Sequence, residues 1–119
     1  MNLDVLFSIK DKHTLKKARD VYGPQKELGV AAEECIELAK ELIKVLRYDD
    51  FFNAVDETKE NVIEEVADVL IVLDHIIELY NIKEYNLIPH IHRKMKRLEY
   101  WLENSNSIEF TTKHREESE

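Results

Sequence analysis

The stretch that decides the fold runs from Asn61 to Tyr80 and reads NVIEEVADVLIVLDHIIELY. At about 100° per residue, its apolar side chains form one broad helical face that comprises Val62, Val66, Val69, Leu73, Ile76 and Tyr80. Glu65 points into that face, and Asp68 lies at its margin one turn later. Burying a carboxylate without a partner is energetically costly, so we expect a positive group to meet this pair.

A second acidic pair, Glu34 and Glu37, has the same spacing on an earlier predicted helix. Residues at i and i+3 share a helix face, so each pair presents two carboxylates side by side. If the two helices pack antiparallel, the four carboxylates can surround one or two hard cations, and all-oxygen ligation favours Mg²⁺ or Mn²⁺ over zinc. The alternative is a solvated acidic face, which explains Glu33, Glu64 and Glu41 well, Glu37 adequately and Glu65 poorly.

The composition favours a single helical domain and restricts how it could handle phosphate. The chain has 119 residues, of which 44% are hydrophobic and 35% charged, with only two glycines and two prolines. This disfavours a turn-rich β fold and leaves no glycine-rich phosphate loop. The net charge of −8 disfavours nucleic acid as a partner, because sequence-independent binding needs basic groups.

The sequence also restricts location and cysteine chemistry. The longest unbroken apolar run, Val69 to Leu73, is too short to span a bilayer, and the N-terminal residues lack a secretory pattern. We therefore expect a cytoplasmic protein with no membrane partner. Cys35 is the only cysteine, which excludes an intrachain disulfide, and its apolar surroundings predict an inert core residue.

The hydrophobic pattern predicts an all-α chain with four main helices. Their expected spans are Asp11 to Tyr22, Pro24 to Leu46, Asn61 to Tyr80 and about Glu84 to Glu103. We expect Tyr48 to Asn61 to be the least regular segment, with Asp56 or Thr58 capping the third helix. Residues 1–103 then form one domain, and residues 104–119 a disordered polar tail.

A di-iron helical bundle is the main competing metal site. Its helices carry a Glu-x-x-His pair, and none of the five histidines has a glutamate three residues before it. The sequence therefore disfavours di-iron chemistry. We expect His75 to be a surface or partly buried structural residue, and Tyr100 and Trp101 to pack in a core or a dimer interface rather than stack on a base.

Four segments resemble the MazG-like nucleoside triphosphate pyrophosphohydrolases, in particular their small single-domain, phage-type branch. They are Tyr22-Gly23-Pro24-Gln25, Ala32-Glu33-Glu34-Cys35-Ile36-Glu37-Leu38, Lys44-Val45-Leu46-Arg47 and Glu64-Glu65-Val66-Ala67-Asp68-Val69. The resemblance implies an all-α fold with a four-helix core, assembled as a dimer or a dimer of dimers. It also implies Mg²⁺-dependent hydrolysis of NTPs or dNTPs between the α and β phosphates, giving the monophosphate and pyrophosphate.

The same resemblance assigns the site residues. The family's metal ligands map onto Glu34, Glu37, Glu65 and Asp68, and a basic stretch that would hold phosphates maps onto Lys94-Met95-Lys96-Arg97. An Asn that many relatives carry near this basic stretch has no equivalent here.

The expected mechanism is attack of water on the α-phosphorus, with Mg²⁺ offsetting the charge of the phosphate oxygens. Glu34 would orient or deprotonate that water. Lys94 and Arg97 would contact the β and γ phosphates, with Lys44 and Arg47 as further candidates. The alternative is a catalytically inactive helical interaction module of the same fold, which would have no reason to keep the complete acidic quartet.

Overall fold

The computed structural model describes residues 5–105 and shows an all-α chain. Its helices are α1 (Ile9–Tyr22), α2 (Pro24–Leu46), α3 (Phe51–Leu79) and α4 (Glu84–Asn104), and the described residues contain no strand. The predicted all-α fold class with four helices is therefore confirmed. Of the tail predicted for residues 104–119, all but the first two residues lie outside the described part of the chain.

The chain divides into two compact units. The first, Met1–Asn81, contains α1, α2 and α3, and the second, Ile82–Glu119, contains α4. Pro89 lies in the early part of α4, which begins at Glu84 as predicted and continues through the proline.

No helix within residues 5–105 has both the length and the apolar character needed to cross a membrane.

Local chemistry sets the boundaries of α1. The Ser8 hydroxyl accepts a hydrogen bond from the backbone N–H of Asp11, and the Asp11 carboxylate accepts one from the N–H of Ser8, each at 3.0 Å. Gly23 ends the helix at φ 84°, a conformation that favours glycine, and its N–H donates to the carbonyl of Arg19. Pro24 then opens α2, where its missing N–H removes no helical hydrogen bond. The predicted end of α1 and start of α2 are confirmed.

The predicted start of α3 is wrong, since the helix begins at Phe51 rather than Asn61. The Asp50 side chain caps it by accepting a hydrogen bond from a backbone N–H of the first turn at 3.3 Å. Asp56 and Thr58, which we expected as caps, both lie inside the helix. The segment contains neither Gly nor Pro, so once Asp50 has capped the first turn nothing interrupts the helix.

α2 and α3 pack against each other in antiparallel directions. Glu27, near the start of α2, contacts His75 near the end of α3, whereas Glu34, further along α2, lies beside Asp68, earlier in α3. We call this contact the seam. Among residues 5–105, the buried apolar residues all lie on these two helices and are Ala31, Val45, Ala54 and Val72.

The inner face of α3 differs from the predicted one. Val66 and Tyr80, which the pattern places in the apolar face, are 40% and 64% exposed, whereas Asp74 and His75 are buried. Cys35, expected in the core, is also exposed. Asp74 and His75 are buried because they pair with polar side chains on other helices. The periodicity of α3 alone does not reveal these partners.

Ion pairs join α1 to α3, and none of the residues of α1 is fully buried. Lys12 Nζ lies 2.6 Å from Asp74 Oδ1, and Arg19 Nη1 lies 3.0 Å from Asp74 Oδ2. Asp74 is only 3% exposed. Burial by itself raises the pKa of Asp74, but the hydrogen bonds from Lys12 and Arg19 outweigh burial and hold that pKa below its ordinary value of 3.8.

We predict that Asp74→Asn lowers the free energy of unfolding by about 2 kcal/mol at neutral pH, because it leaves Lys12 and Arg19 beside a neutral amide. The expected loss of stability is smaller than for a fully buried ion pair, because the Lys12 side chain is 34% exposed. Because the pKa of Asp74 is lowered, its contribution is complete above the ordinary carboxyl pKa and is lost as pH falls through the lowered value.

Urea unfolding of wild type and Asp74→Asn, at neutral pH and at decreasing pH, measures both effects. The control is Asp20→Asn, which breaks only the exposed Lys16–Asp20 pair and should change the free energy of unfolding by less than about 0.5 kcal/mol. Equal losses in the two variants would contradict a structural role for the Asp74 pairs.

Candidate metal centre

The seam gathers three carboxylates from two helices. One oxygen from each of Glu34, Glu65 and Asp68 lies within 4.8 Å of the other two. Glu65 and Asp68 are three residues apart on α3 and therefore share a face, and the antiparallel packing brings Glu34 of α2 to them. We call these three residues the acidic cluster. The structure thus brings together three of the four residues that the sequence analysis predicts as metal ligands.

The Glu65 side chain is the unusual member of the acidic cluster. Its Oε2 atom is buried and has no hydrogen-bond partner in the described part of the chain. A carboxylate oxygen removed from water normally receives a hydrogen bond or a cation, because otherwise its desolvation is not compensated. A cation held between the three carboxylates, or a proton on one of them, would compensate this oxygen.

Burial and mutual repulsion raise carboxyl pKa values in the acidic cluster. Burial, followed by the negative charges of Asp68 and Glu65, raises the pKa of Glu34 above its ordinary value of 4.5. Burial, followed by the charges of Asp68 and Glu37, likewise raises the pKa of Glu65. Raised carboxyl pKa values mean that the fully ionised cluster is disfavoured unless a cation compensates it.

Glu37 lies at the edge of the site and not within the acidic cluster. Its side chain is half exposed, and its Oε1 accepts a hydrogen bond from Lys40 at 3.3 Å. Its charge still contributes to the raised pKa values of Glu34 and Glu65, so it is electrostatically part of the site. Ligation by Glu37 stays a prediction.

Glu41 lies beside the acidic cluster, and the prediction that it belongs to a solvated face is wrong. Its side chain is only 15% exposed, it forms an ion pair with Lys44 at 2.9 Å, and its charge also raises the pKa of Glu65. The signal was available, because Glu41 follows Glu34 by seven residues, close to two helical turns, and so occupies the same face of α2.

The predicted phosphate-binding cations occupy two places. Lys44 and Arg47 line a shallow pocket with Tyr48 at the end of α2, and the ion pair with Glu41 raises the pKa of Lys44. Lys94 and Arg97 are exposed on α4, in the second unit. Phosphate binding by all four cations stays a prediction.

The acidic cluster fits a hard divalent cation. It offers only carboxylate oxygens, which suit Mg²⁺ or Mn²⁺ rather than softer metals, and one of those oxygens is buried without a partner. Comparisons of the chain with models of known protein families, with curated proteins and with solved structures give no match. The chemistry of the site therefore carries most of the functional argument.

We predict that, without divalent cations, the melting temperature falls as pH rises from about 4.5 through the raised pKa values of Glu34 and Glu65. A carboxyl group whose pKa is raised by folding binds its proton more tightly in the folded state, so this stabilisation is lost as the group ionises. Thermal melts in chelator across this range measure the slope. Glu65→Gln removes one titrating group, so the melting temperature should fall less steeply with pH.

The matched control is Glu60→Gln, an exposed position on the same helix. It should keep the wild-type slope. If Glu65→Gln also keeps that slope, Glu65 does not have the raised pKa assigned to it.

Proposed function

We propose that this chain is a Mg²⁺-dependent nucleotide pyrophosphohydrolase, which cleaves ribo- or deoxyribonucleoside triphosphates between the α and β phosphates. The observation that carries this proposal is the buried, unpartnered Oε2 of Glu65 beside Glu34 and Asp68. A surface that only keeps a protein soluble has no reason to hold a carboxylate oxygen away from water. The resemblance of the sequence to the MazG-like enzymes supports the same function.

The carboxylates have distinct roles in this proposal. Glu34, Glu37, Glu65 and Asp68 would hold Mg²⁺, for which Mn²⁺ can substitute, and such an ion would supply positive charge to offset the phosphate oxygens and to acidify water. Glu34 also orients the attacking water and accepts its proton.

The basic side chains bind the leaving pyrophosphate. Lys44 pairs with Glu41 on α2, and Arg47 directly follows that helix, so both bring positive charge to the end of α2 beyond Glu41. From the sequence resemblance alone, we add Lys94 and Arg97 as donors to the β and γ phosphates, with the Arg97 guanidinium able to bind two phosphate oxygens at once.

The activity is tested with pyrophosphate release from a panel of NTPs and dNTPs in the presence of Mg²⁺. Glu65→Gln should lower turnover by roughly 100-fold or more, as loss of an electrostatic partner of the transition state does, while helicity by circular dichroism stays at the wild-type level. Glu60→Gln, outside the cluster, should retain activity.

A second measurement separates binding from turnover. Millimolar Mg²⁺ or Mn²⁺ should raise the melting temperature of wild type and raise that of Glu65→Gln less, because only the folded site binds the ion. A folded protein that releases no pyrophosphate from any nucleotide and shows no response to either ion would be a non-enzymatic helical module instead.

We further propose that the chain assembles as a homodimer or a dimer of dimers. An apolar groove of about 380 Å³ lies between α2 and α3 in the first unit. Exposed apolar side chains line it, including Leu42, Leu46, Phe51, Val55 and Ile63. Apolar surface of this kind commonly marks a protein interface.

Sedimentation velocity should show a dimer or tetramer for wild type, and Leu46→Asp should shift it towards monomer. Leu46 is 72% exposed, so the substitution leaves the packing within the chain intact. The control, Val21→Asp, changes a similarly exposed residue of α1 outside the groove and should keep the wild-type state. A wild-type monomer at the concentrations used for activity would contradict the proposed assembly.

A further inference from the structure

A second group of polar side chains lies on the same seam, where α2 begins and α3 ends. A cleft of about 350 Å³ opens there between α1, α2 and α3. Glu27, His75 and Arg19 are among its lining residues, and the first two are buried. Its aliphatic walls include Leu28 and Leu79. None of these residues has a role in the proposed hydrolysis.

Hydrogen bonds determine which ring nitrogen of His75 carries the proton. The Arg19 guanidinium can only donate, so His75 Nδ1, which lies 3.2 Å from Arg19 Nη1, must be the acceptor. The proton of the neutral ring is therefore on Nε2, which donates to Glu27 Oε2 at 3.1 Å. The hydrogen bond from His75 thus fixes the orientation of the Glu27 side chain. The Glu27 carboxylate can still accept further hydrogen bonds.

We propose that this cleft binds the base of the nucleotide and selects rings in which an N–H adjoins a carbonyl, as in guanine, hypoxanthine, uracil and thymine. Glu27 accepts the hydrogen bond of the ring N–H, and Arg19, whose guanidinium has five N–H groups, donates to the adjacent carbonyl oxygen. Leu28 and Leu79 contact the faces of the ring. Adenine and cytosine have no ring N–H beside a carbonyl and leave Glu27 poorly paired. The identity of this ligand rests on the proposed nucleotide pyrophosphohydrolase function.

The spacing along the seam suits one nucleotide. Glu27 precedes Glu34 by seven residues on α2, and His75 follows Asp68 by seven residues on α3. Seven residues are close to two turns, so each pair shares a helix face and is separated by about 10 Å along its axis. A nucleotide has a similar reach from its phosphates to its base. A single molecule can therefore place its phosphates at the acidic cluster and its base in the cleft.

The test uses nucleosides, which have no phosphates and need no metal. Wild-type protein labelled with ¹⁵N at histidine is titrated in chelator with inosine, uridine, adenosine and cytidine. We expect inosine and uridine to shift the Nε2 resonance of His75, with dissociation constants at least about tenfold lower than those of adenosine and cytidine, because the latter leave a buried carboxylate unpaired.

Matched variants locate the binding. Leu79→Trp fills the cleft at a position that is 40% exposed, and Ile71→Trp makes the same change at a 38% exposed position of α3 outside it. Leu79→Trp should abolish the nucleoside-induced shifts, whereas Ile71→Trp should preserve them. Circular dichroism confirms that each variant is folded.

The outcomes separate this proposal from the proposed hydrolysis. Equal binding of all four nucleosides, no binding of any, or unchanged binding by Leu79→Trp would each overturn base recognition by the cleft, whether or not wild type releases pyrophosphate. Selective binding that Leu79→Trp abolishes, in a protein that releases no pyrophosphate, would uphold the cleft and overturn the hydrolysis.

Discussion

Carboxylates inside the contact between two helices are the constraint on which this structure depends. α2 and α3 could pack through aliphatic side chains alone, yet their shared face carries Glu27, Glu34 and Glu41 from one helix and Glu65 from the other. Each carboxylate placed there loses its hydration. A proton, a hydrogen-bond donor or a cation must compensate this desolvation cost. How each one does so determines what the different parts of the seam can do.

The two ends of the seam meet this requirement differently. At the end near α1, the protein supplies the partners itself, since Lys12 and Arg19 contact Asp74, and His75 donates to Glu27. At the acidic cluster, by contrast, Glu65 Oε2 is buried and no donor within residues 5–105 reaches it. The same chain thus contains one acidic group that is paired with basic side chains of another helix and one for which the described residues supply no donor. A generally acidic surface therefore does not explain both the paired Asp74 and the unpaired oxygen of Glu65.

The parts of the fold that depend on local chemistry could be predicted from the sequence. Gly23 and Pro24 mark the junction of α1 and α2 by their backbone preferences, and Glu65 stands out as a charge in an apolar helix. The start of α3 was missed because the segment after Asp50 has an irregular apolar pattern, although it contains no residue that stops a helix. Local signals were enough where one residue's chemistry determined the outcome.

Features that depend on distant pairing could not be predicted in this way. Asp74 is 62 residues from Lys12 and 55 from Arg19, so no pattern within α3 shows that it is buried. Glu41 was assigned to a solvated face because only the apolar residues of α2 were used to define its inner face. In the structure, Glu27 and Val45 lie on that face, which is therefore partly acidic, and Glu41 falls within it.

The exposure of Cys35 has a practical consequence. It is the chain's single cysteine, and it directly follows Glu34 in α2. A thiol-reactive fluorophore or nitroxide therefore attaches at one defined point beside a carboxylate of the acidic cluster without any mutagenesis. Paramagnetic Mn²⁺ captured nearby would relax such a label strongly, so the native chain carries its own attachment point for measuring where an ion resides.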